Sequence, residues 1–233
     1  MKLIIAGASG LLGTEIVRQS LQMHEITQVI ALARRPVQLD KGTDSSKLKS
    51  VVICDYGEYP DSVKAETVAI TPFPIGGFDF AEVRRICQDS TKLGFEAMYE
   101  AGLARTFRFM YLSEQGTPRD PTERPIIMAD YQIMRCNTEL MVLEFPTEKN
   151  GVEVCIAQPG VVSNSTTWSR ALVANLFRIL NLFGRPLANV QRSELAAAVL
   201  NQVFDGFEKE TLLNADLVRI GRRELKFRCM PQV

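Results

Sequence analysis

The chain carries one histidine, His24, and one tryptophan, Trp168. A lone histidine with no cysteine beside it cannot build a zinc site, and its neighbours offer no acid and nucleophile at triad spacing, which argues against metal hydrolysis and histidine-based acyl transfer. Five cysteines (Cys54, Cys87, Cys136, Cys155, Cys229) occur without a CxxC pair. An odd, scattered set is no disulfide framework, so reduced and mostly buried thiols are expected. There is no excess charge of either sign, with Lys plus Arg and Asp plus Glu both at 27. Nothing there attracts nucleic acid or an anionic membrane, and a small-molecule partner is expected instead. Long apolar runs are absent too: the first, Leu3 to Ala6, is cut by Gly7, too short for a signal-peptide core or a membrane span. A soluble, cytoplasmic protein is expected. No internal repeat or low-complexity linker divides the 233 residues. The simplest organisation is one α/β domain over 1–233, with 164–233 contributing a small substrate lobe.

What is present is concentrated at the start. Four apolar residues predict a buried strand; glycines follow at positions 7, 10 and 13; helical periodicity then begins through Ile16, Val17 and Leu21. In a strand–turn–helix, Gly7 permits the sharp turn, Gly10 leaves no Cβ between backbone and a pyrophosphate, and Gly13 lets the helix pack on the strand. Phosphates would sit on the free N–H groups of the helix N-terminus, where the macrodipole favours negative charge. This order predicts a dinucleotide site at Gly7, Ser9, Gly10, Leu11, Leu12 and Gly13.

A second apolar run, Val29 to Ala33, ends in Arg34 and Arg35. An acid at this place would bond the ribose hydroxyls of NAD, whereas a guanidinium fork suits the 2′-phosphate of NADP. The third strand ends at Asp55, which either accepts a bond from the adenine amino group or starts a turn by bonding its own backbone. Only about ten residues separate Tyr56 from a fourth strand at Thr67–Ile70, near the lower limit for a crossover connection. A breaker-rich loop from Thr71 to Gly77 follows, then a helix over Phe80–Ala101, a fifth strand over Phe107–Leu112 ending at Ser113, and a helix from Ala129 to Phe145. The sixth strand, Val152–Ala157, runs into Pro159-Gly160. Trp168 to Phe183 predicts a largely apolar helix, Leu195 to Phe207 another, and Leu212 to Ile220 a late strand.

Ser113 closes a strand, and Tyr131 and Arg135, four apart, share a helix face. Carbonyl reduction needs a proton donor as hydride arrives; a tyrosine hydroxyl serves when a nearby cation lowers its pKa, and a serine can hold the carbonyl oxygen. The chain thus resembles the short-chain dehydrogenase/reductase superfamily, in its atypical NmrA-like and nucleoside-diphosphate-sugar-epimerase-like branch. The resemblance rests on the three glycines, Arg34, Asp55, Ser113, Tyr131-x-x-x-Arg135 and Pro159-Gly160, in that order over about two thirds of the chain. It implies a doubly wound Rossmann-type sheet and an NADP cofactor. Ser113, Tyr131 and Arg135 would be catalytic, and Ile70, Thr71, Arg135 and Pro159 would join the cofactor contacts. That superfamily has lysine where Arg135 stands, and Ile70-Thr71-Pro72 replaces its usual glycine turn. Three functions are compatible with these residues: an NADP(H)-dependent oxidoreductase of a small, fairly apolar metabolite, a non-catalytic NADP-sensing regulator, and a non-redox isomerase or cyclase retaining the NADP site.

Overall fold

The computed structural model describes residues 1–53, 80–100, 106–125, 128–163 and 188–228. In chain order these form β1 (Lys2–Ala6), α1 (Leu11–Leu21), β2 (Gln28–Ala33), β3 (Leu48–Val52), α2 (Phe80–Arg84), a π-helical turn (Arg85–Asp89), α3 (Ser90–Glu100), β4 (Phe107–Leu112) and α4 (Ala129–Glu148). They continue with β5 (Val152–Gln158), β6 (Val161–Ser163), β7 (Asn189–Gln191), α5 (Arg192–Asp205), β8 (Thr211–Leu213) and α6 (Asn214–Arg228).

Every strand pair among the described residues is parallel. β1, β2 and β3 lie side by side, with Leu3 opposite Val29 and Leu32 opposite Val51. β4, β5 and β8 form a second set, with Tyr111 opposite Ile156 and Ala157 opposite Leu212, and β6 pairs with β7. Strands covered by helices on both sides need apolar residues at successive positions, which is why unbroken apolar runs fill Leu3–Ala6 of β1, Val29–Ala33 of β2 and Phe109–Leu112 of β4. Leu3, Ile5, Val29, Ala31, Met110, Leu112, Cys155 and Ala157 share one buried cluster with α1, α5 and α6. Their alternates Ile4, Ala6, Ile30, Leu32, Phe109, Tyr111 and Ile156 share the other with Phe95 of α3 and Phe145 of α4, whose rings stack 3.6 Å apart. Both strand sets contribute to both clusters, so the doubly wound α/β architecture read from the sequence is present. The C-terminal edges of β1 and β4 meet the N-terminal ends of α1 and α4, and the candidate site is built there.

The differences from the sequence reading are local. The helix expected over Phe80–Ala101 is interrupted by the π-helical turn, where the Ser90 hydroxyl donates to the Arg85 carbonyl at 2.8 Å and the Ser90 N–H bonds the same oxygen. The late strand expected over Leu212–Ile220 is only Thr211–Leu213; from Asn214 the chain is helical. The cause is visible in the spacing: Leu217, Ile220 and Gly221 are buried at helical intervals, and the Asp216 carboxylate accepts the Leu213 N–H at 3.2 Å at the helix start. Residues 188–228 pack into the main core, with Arg192 3.5 Å from Glu15 of α1 and the Arg228 guanidinium donating to Gln19 at 3.1 Å. Asp55, the strand at Thr67–Ile70, the loop after it with Thr71, and the apolar wall from Trp168 to Phe183 lie outside the described residues. Cys87, Cys136 and Cys155 are free and buried, and burial pushes the Cys155 thiol up to about 12. No helix among the described residues is long and apolar enough to cross a membrane.

Candidate functional site

The turn between β1 and α1 is held by its own backbone. Gly7 sits at φ +73°, where a side chain is disfavoured, and its carbonyl accepts the Gly10 N–H at 2.9 Å. A Cβ on Gly13 would lie 2.3 Å from that carbonyl oxygen and 2.7 Å from the Ala8 Cα, so α1 touches the turn at a distance that only glycine permits. Gly10 is the N-cap of α1 and supplies no side-chain cap, and the first turn carries no acid. The first N–H groups of α1 are therefore left for an external acceptor, and the macrodipole makes an anion the favoured one. Ser9 and Leu11 are exposed beside this end, and Leu12 is partly so. Arg34 and Arg35 are exposed just past the end of β2. A bare helix terminus, a cradle that a Cβ would fill and two exposed guanidinium groups at the next strand end together fit a phosphorylated dinucleotide.

The other half of the site depends on side chains. Past β4 the chain stays paired to β5, with the Ser113 N–H on the Ala157 carbonyl and the Gln115 N–H on the Pro159 carbonyl, both at 2.8 Å. Ser113 is buried and shares a 3.3 Å hydrogen bond with the Thr117 hydroxyl. Facing this strand end is α4, entered through Met128, the one described non-glycine residue with positive φ (51°). Tyr131, in the first turn, is buried with Val83 and Cys87, next to Met134.

Arg135, one turn further, is only 3% exposed. Its guanidinium donates to the Tyr111 hydroxyl at 2.6 Å and to the Leu112 carbonyl at 2.8 Å, and lies 5.0 Å from the Tyr111 ring centroid. The fork is thus turned onto β4. Burial works against its charge, but Tyr111, Tyr131, Cys87 and Glu114 around it keep its pKa above the usual arginine value. Sequence reasoning expects this cation to lower the tyrosine's pKa. Burial raises the Tyr131 phenol more than Arg135 lowers it, and Glu114 adds to the rise, so the phenol is held protonated at any ordinary pH.

Two carboxyl groups join this cluster that sequence reasoning missed. Glu139, one turn beyond Arg135 and 4% exposed, accepts two hydrogen bonds at 2.9 Å from the Gln158 amide. Burial pushes its carboxyl up, and these bonds and Arg135 offset only part of that. Glu114, directly after Ser113, is also pushed up by burial, with Arg135 and Tyr131 pulling the other way and Glu139 adding to the rise. The signal for Glu139 was available: Tyr131, Arg135 and Glu139 recur every fourth residue, a polar stripe on a helix face that also carries buried Met134 and Val142. For Glu114 there was only its place after the strand-end serine. The structure brings Ser113, Tyr131 and Arg135 to one strand end, with the arginine fork directed at Tyr111 and Leu112. Pro159 is buried at the adjoining end of β5. No group of three or more His, Cys, Asp or Glu among the described residues could hold a metal ion.

No protein-family model matches the chain, and no curated protein matches it in sequence. Solved structures match it in fold. The reductase domain of PhqB from Penicillium fellutanum superposes with a TM-score of 0.66 at 14% identity, covering 92% of this chain and 67% of that one. An oxidoreductase of the short-chain dehydrogenase/reductase family from Burkholderia thailandensis gives 0.64 at 17% identity, with 97% of each chain covered. A short-chain dehydrogenase/reductase superfamily protein from Agrobacterium tumefaciens, solved with bound NAD, gives 0.60 at 13% identity over 87% of this chain and 74% of that one. The fold is therefore the Rossmann-type fold of short-chain dehydrogenase/reductase proteins.

Proposed function

We propose that this chain is an NADP(H)-dependent oxidoreductase acting on the carbonyl or alcohol of a small, fairly apolar metabolite. The observation that carries this reading is the uncapped N-terminus of α1, set by Gly13 against the Gly7 turn at a distance no side chain allows. Gly7, Ser9, Gly10, Leu11, Leu12 and Gly13 would hold the diphosphate, Arg34 and Arg35 the 2′-phosphate, and Asp55 the adenine. Ile70, Thr71, Arg135 and Pro159 would hold the nicotinamide half. When bound, the cofactor supplies or accepts hydride. Ser113 then holds the substrate oxygen, Tyr131 gives it a proton, and Arg135 stabilises charge around the tyrosine. The bound NAD of the Agrobacterium protein supports a nicotinamide dinucleotide, and the arginine pair in place of an acid supports the 2′-phosphate form.

Titration calorimetry with NADPH and NADH tests the cofactor, and NADPH oxidation with a panel of ketones tests the reaction. Heat with NADPH that exceeds that with NADH, together with turnover lost in Tyr131→Phe, is the expected result. No heat with either nucleotide at millimolar concentration ends the reading. One observation favours a second reading, an NADP-sensing regulator: the arginine in the lysine's place has its hydrogen bonds directed at Tyr111 and Leu112. That reading requires unequal affinity for NADP+ and NADPH without turnover, since a ligand pair bound equally can switch nothing.

A further inference from the structure

We propose that Thr117 is a positioning residue for Ser113: its hydroxyl holds the serine and reverses the hydrogen bond between them, freeing the Ser113 proton for the substrate oxygen. This rests on the oxidoreductase reading above and goes beyond it by naming the group through which Ser113 is oriented. A serine that holds a carbonyl must donate its one proton to that oxygen. Its own oxygen is then fixed in direction only by a donor from the protein, and the side chain within hydrogen-bond distance that can become one is Thr117, with its oxygen 3.3 Å from the Ser113 oxygen.

The backbone brings the two hydroxyls together. The Ser113 N–H on the Ala157 carbonyl keeps Ser113 in line with β4, so its side chain leaves the chain on the same side as Tyr111, the side packed against Phe145 of α4. After Gln115, tied to the Pro159 carbonyl, the chain doubles back through Gly116 at φ +101°. The Thr117 N–H then reaches the Glu114 carbonyl at 3.4 Å, and the Thr117 hydroxyl donates to the same oxygen at 3.1 Å. Ser113 and Thr117 are both buried, so water competes little for either hydroxyl, and a hydrogen-bonded chain in such surroundings polarises more strongly than in solvent.

The pair has two protons to place. While the Thr117 proton lies on the Glu114 carbonyl, the 3.3 Å contact is a hydrogen bond only if Ser113 supplies the proton, and Ser113 then offers a substrate nothing but lone pairs. Once the Thr117 proton turns to Ser113, the same contact survives with its direction reversed and the Ser113 proton is released to a carbonyl oxygen. The Glu114 carbonyl keeps the Thr117 N–H throughout, so the reversal strands no backbone acceptor. Both hydroxyls only rotate about their C–O bonds; no bond to hydrogen breaks and no group changes charge.

The test is a double-variant cycle on Ser113→Ala and Thr117→Val, read in two ways. With NADPH and 9,10-phenanthrenequinone as the probe pair, Thr117→Val, which removes the hydroxyl and keeps the branch, is expected to lower kcat about tenfold with little change in KM. Thr117→Ser should recover most of that loss. In the Ser113→Ala background, Thr117→Val should cost nothing further, because the hydroxyl it removes has no partner left to orient; a merely structural role would give the same loss in both backgrounds. Thr117→Ala is the second variant without a hydroxyl and should show the same pattern. Urea unfolding of the same proteins needs no substrate, and there the stability losses of the two single variants should sum to more than that of the double variant. Parental kcat in Thr117→Val, equal losses with and without Ser113, or additive stability losses each overturn the proposal while leaving the oxidoreductase reading in place. Failure of the wild type to bind or oxidise NADPH ends that reading and the positioning role with it.

Discussion

The half of the molecule built on β1, β2 and α1 prepares its end of the site with backbone, and the half built on β4, β5 and α4 prepares its end with buried side-chain charge. In the first, positive φ at Gly7, the close approach at Gly13 and an uncapped helix leave N–H groups pointing outward. In the second, a buried guanidinium is surrounded by two tyrosines, a thiol and two carboxyl groups whose pKa values it helps to set. Backbone geometry tolerates no added atom, whereas a charge cluster tolerates changes of shape better than changes of protonation. Each half should therefore fail in its own way.

The largest effect is expected at Gly13. Even the methyl group of Gly13→Ala would overlap the Gly7 carbonyl and the Ala8 backbone, neither of which can swing aside, so α1 must part from β1 at a cost of about 3 kcal/mol or more. Gly10→Ala, whose Cβ would lie 3.2 Å from the same carbonyl, should cost clearly less. Urea unfolding of the two variants measures the gap, and equal costs would mean that the turn is not the rigid element described. Next comes Arg135→Lys, which keeps the charge and loses the fork. Leaving either the Tyr111 hydroxyl or the Leu112 carbonyl without its donor should cost about 2 kcal/mol in the same assay. A neutral outcome would move Arg135 out of the structural account of this strand end.

The contrast also explains what could be read without coordinates. A glycine that must lie close to backbone announces itself by spacing, and four apolar residues in a row announce a strand covered on both faces; β1, α1, β2, β4, α4 and β5 were legible for those reasons. Leu212–Ile220 was misread because six apolar residues in nine fit a strand as readily as a helix, and the Asp216 contact with Leu213 that starts the helix is a side-chain event with no periodicity. Ser113, Tyr131 and Arg135 were legible as a set, but the direction of the Arg135 fork was not. It depends on the Tyr111 hydroxyl, an apparent core aromatic of β4, and no spacing rule reports which way a long side chain turns.

At the cofactor end, the expected effects are on affinity. Replacing Arg34 and Arg35 together by alanine should weaken NADPH binding about tenfold, the loss of one charge-assisted hydrogen bond or more, with NADH binding unchanged. Calorimetry with both nucleotides reads this directly, and equal losses for the two would remove the 2′-phosphate from the assignment.

The smallest effects lie in the pH dependence of stability, where the two halves should respond with opposite signs. Glu15 of α1 is buried, which raises its carboxyl, but bonds from Arg18 and Gln19 and the charges of Arg18 and Arg192 outweigh this and leave it below 4.5. A carboxyl depressed on folding contributes stability above its unfolded pKa and loses it as pH falls through the folded value, so Glu15→Gln should flatten the acid limb. Glu139 is raised above 4.5 by burial, beyond what Ser113, Gln158 and Arg135 recover. Its contribution is complete below 4.5 and disappears as pH rises through the raised value, because the unfolded chain then gives up the proton more readily than the folded one. Glu139→Gln, which keeps an amide where the protonated acid stood, should therefore lose less stability than wild type on going from pH 4.5 towards neutrality. Melting curves across that window distinguish the two variants, and a Glu139→Gln profile parallel to wild type would show that the β4–α4 cluster holds its carboxyl no differently from solvent.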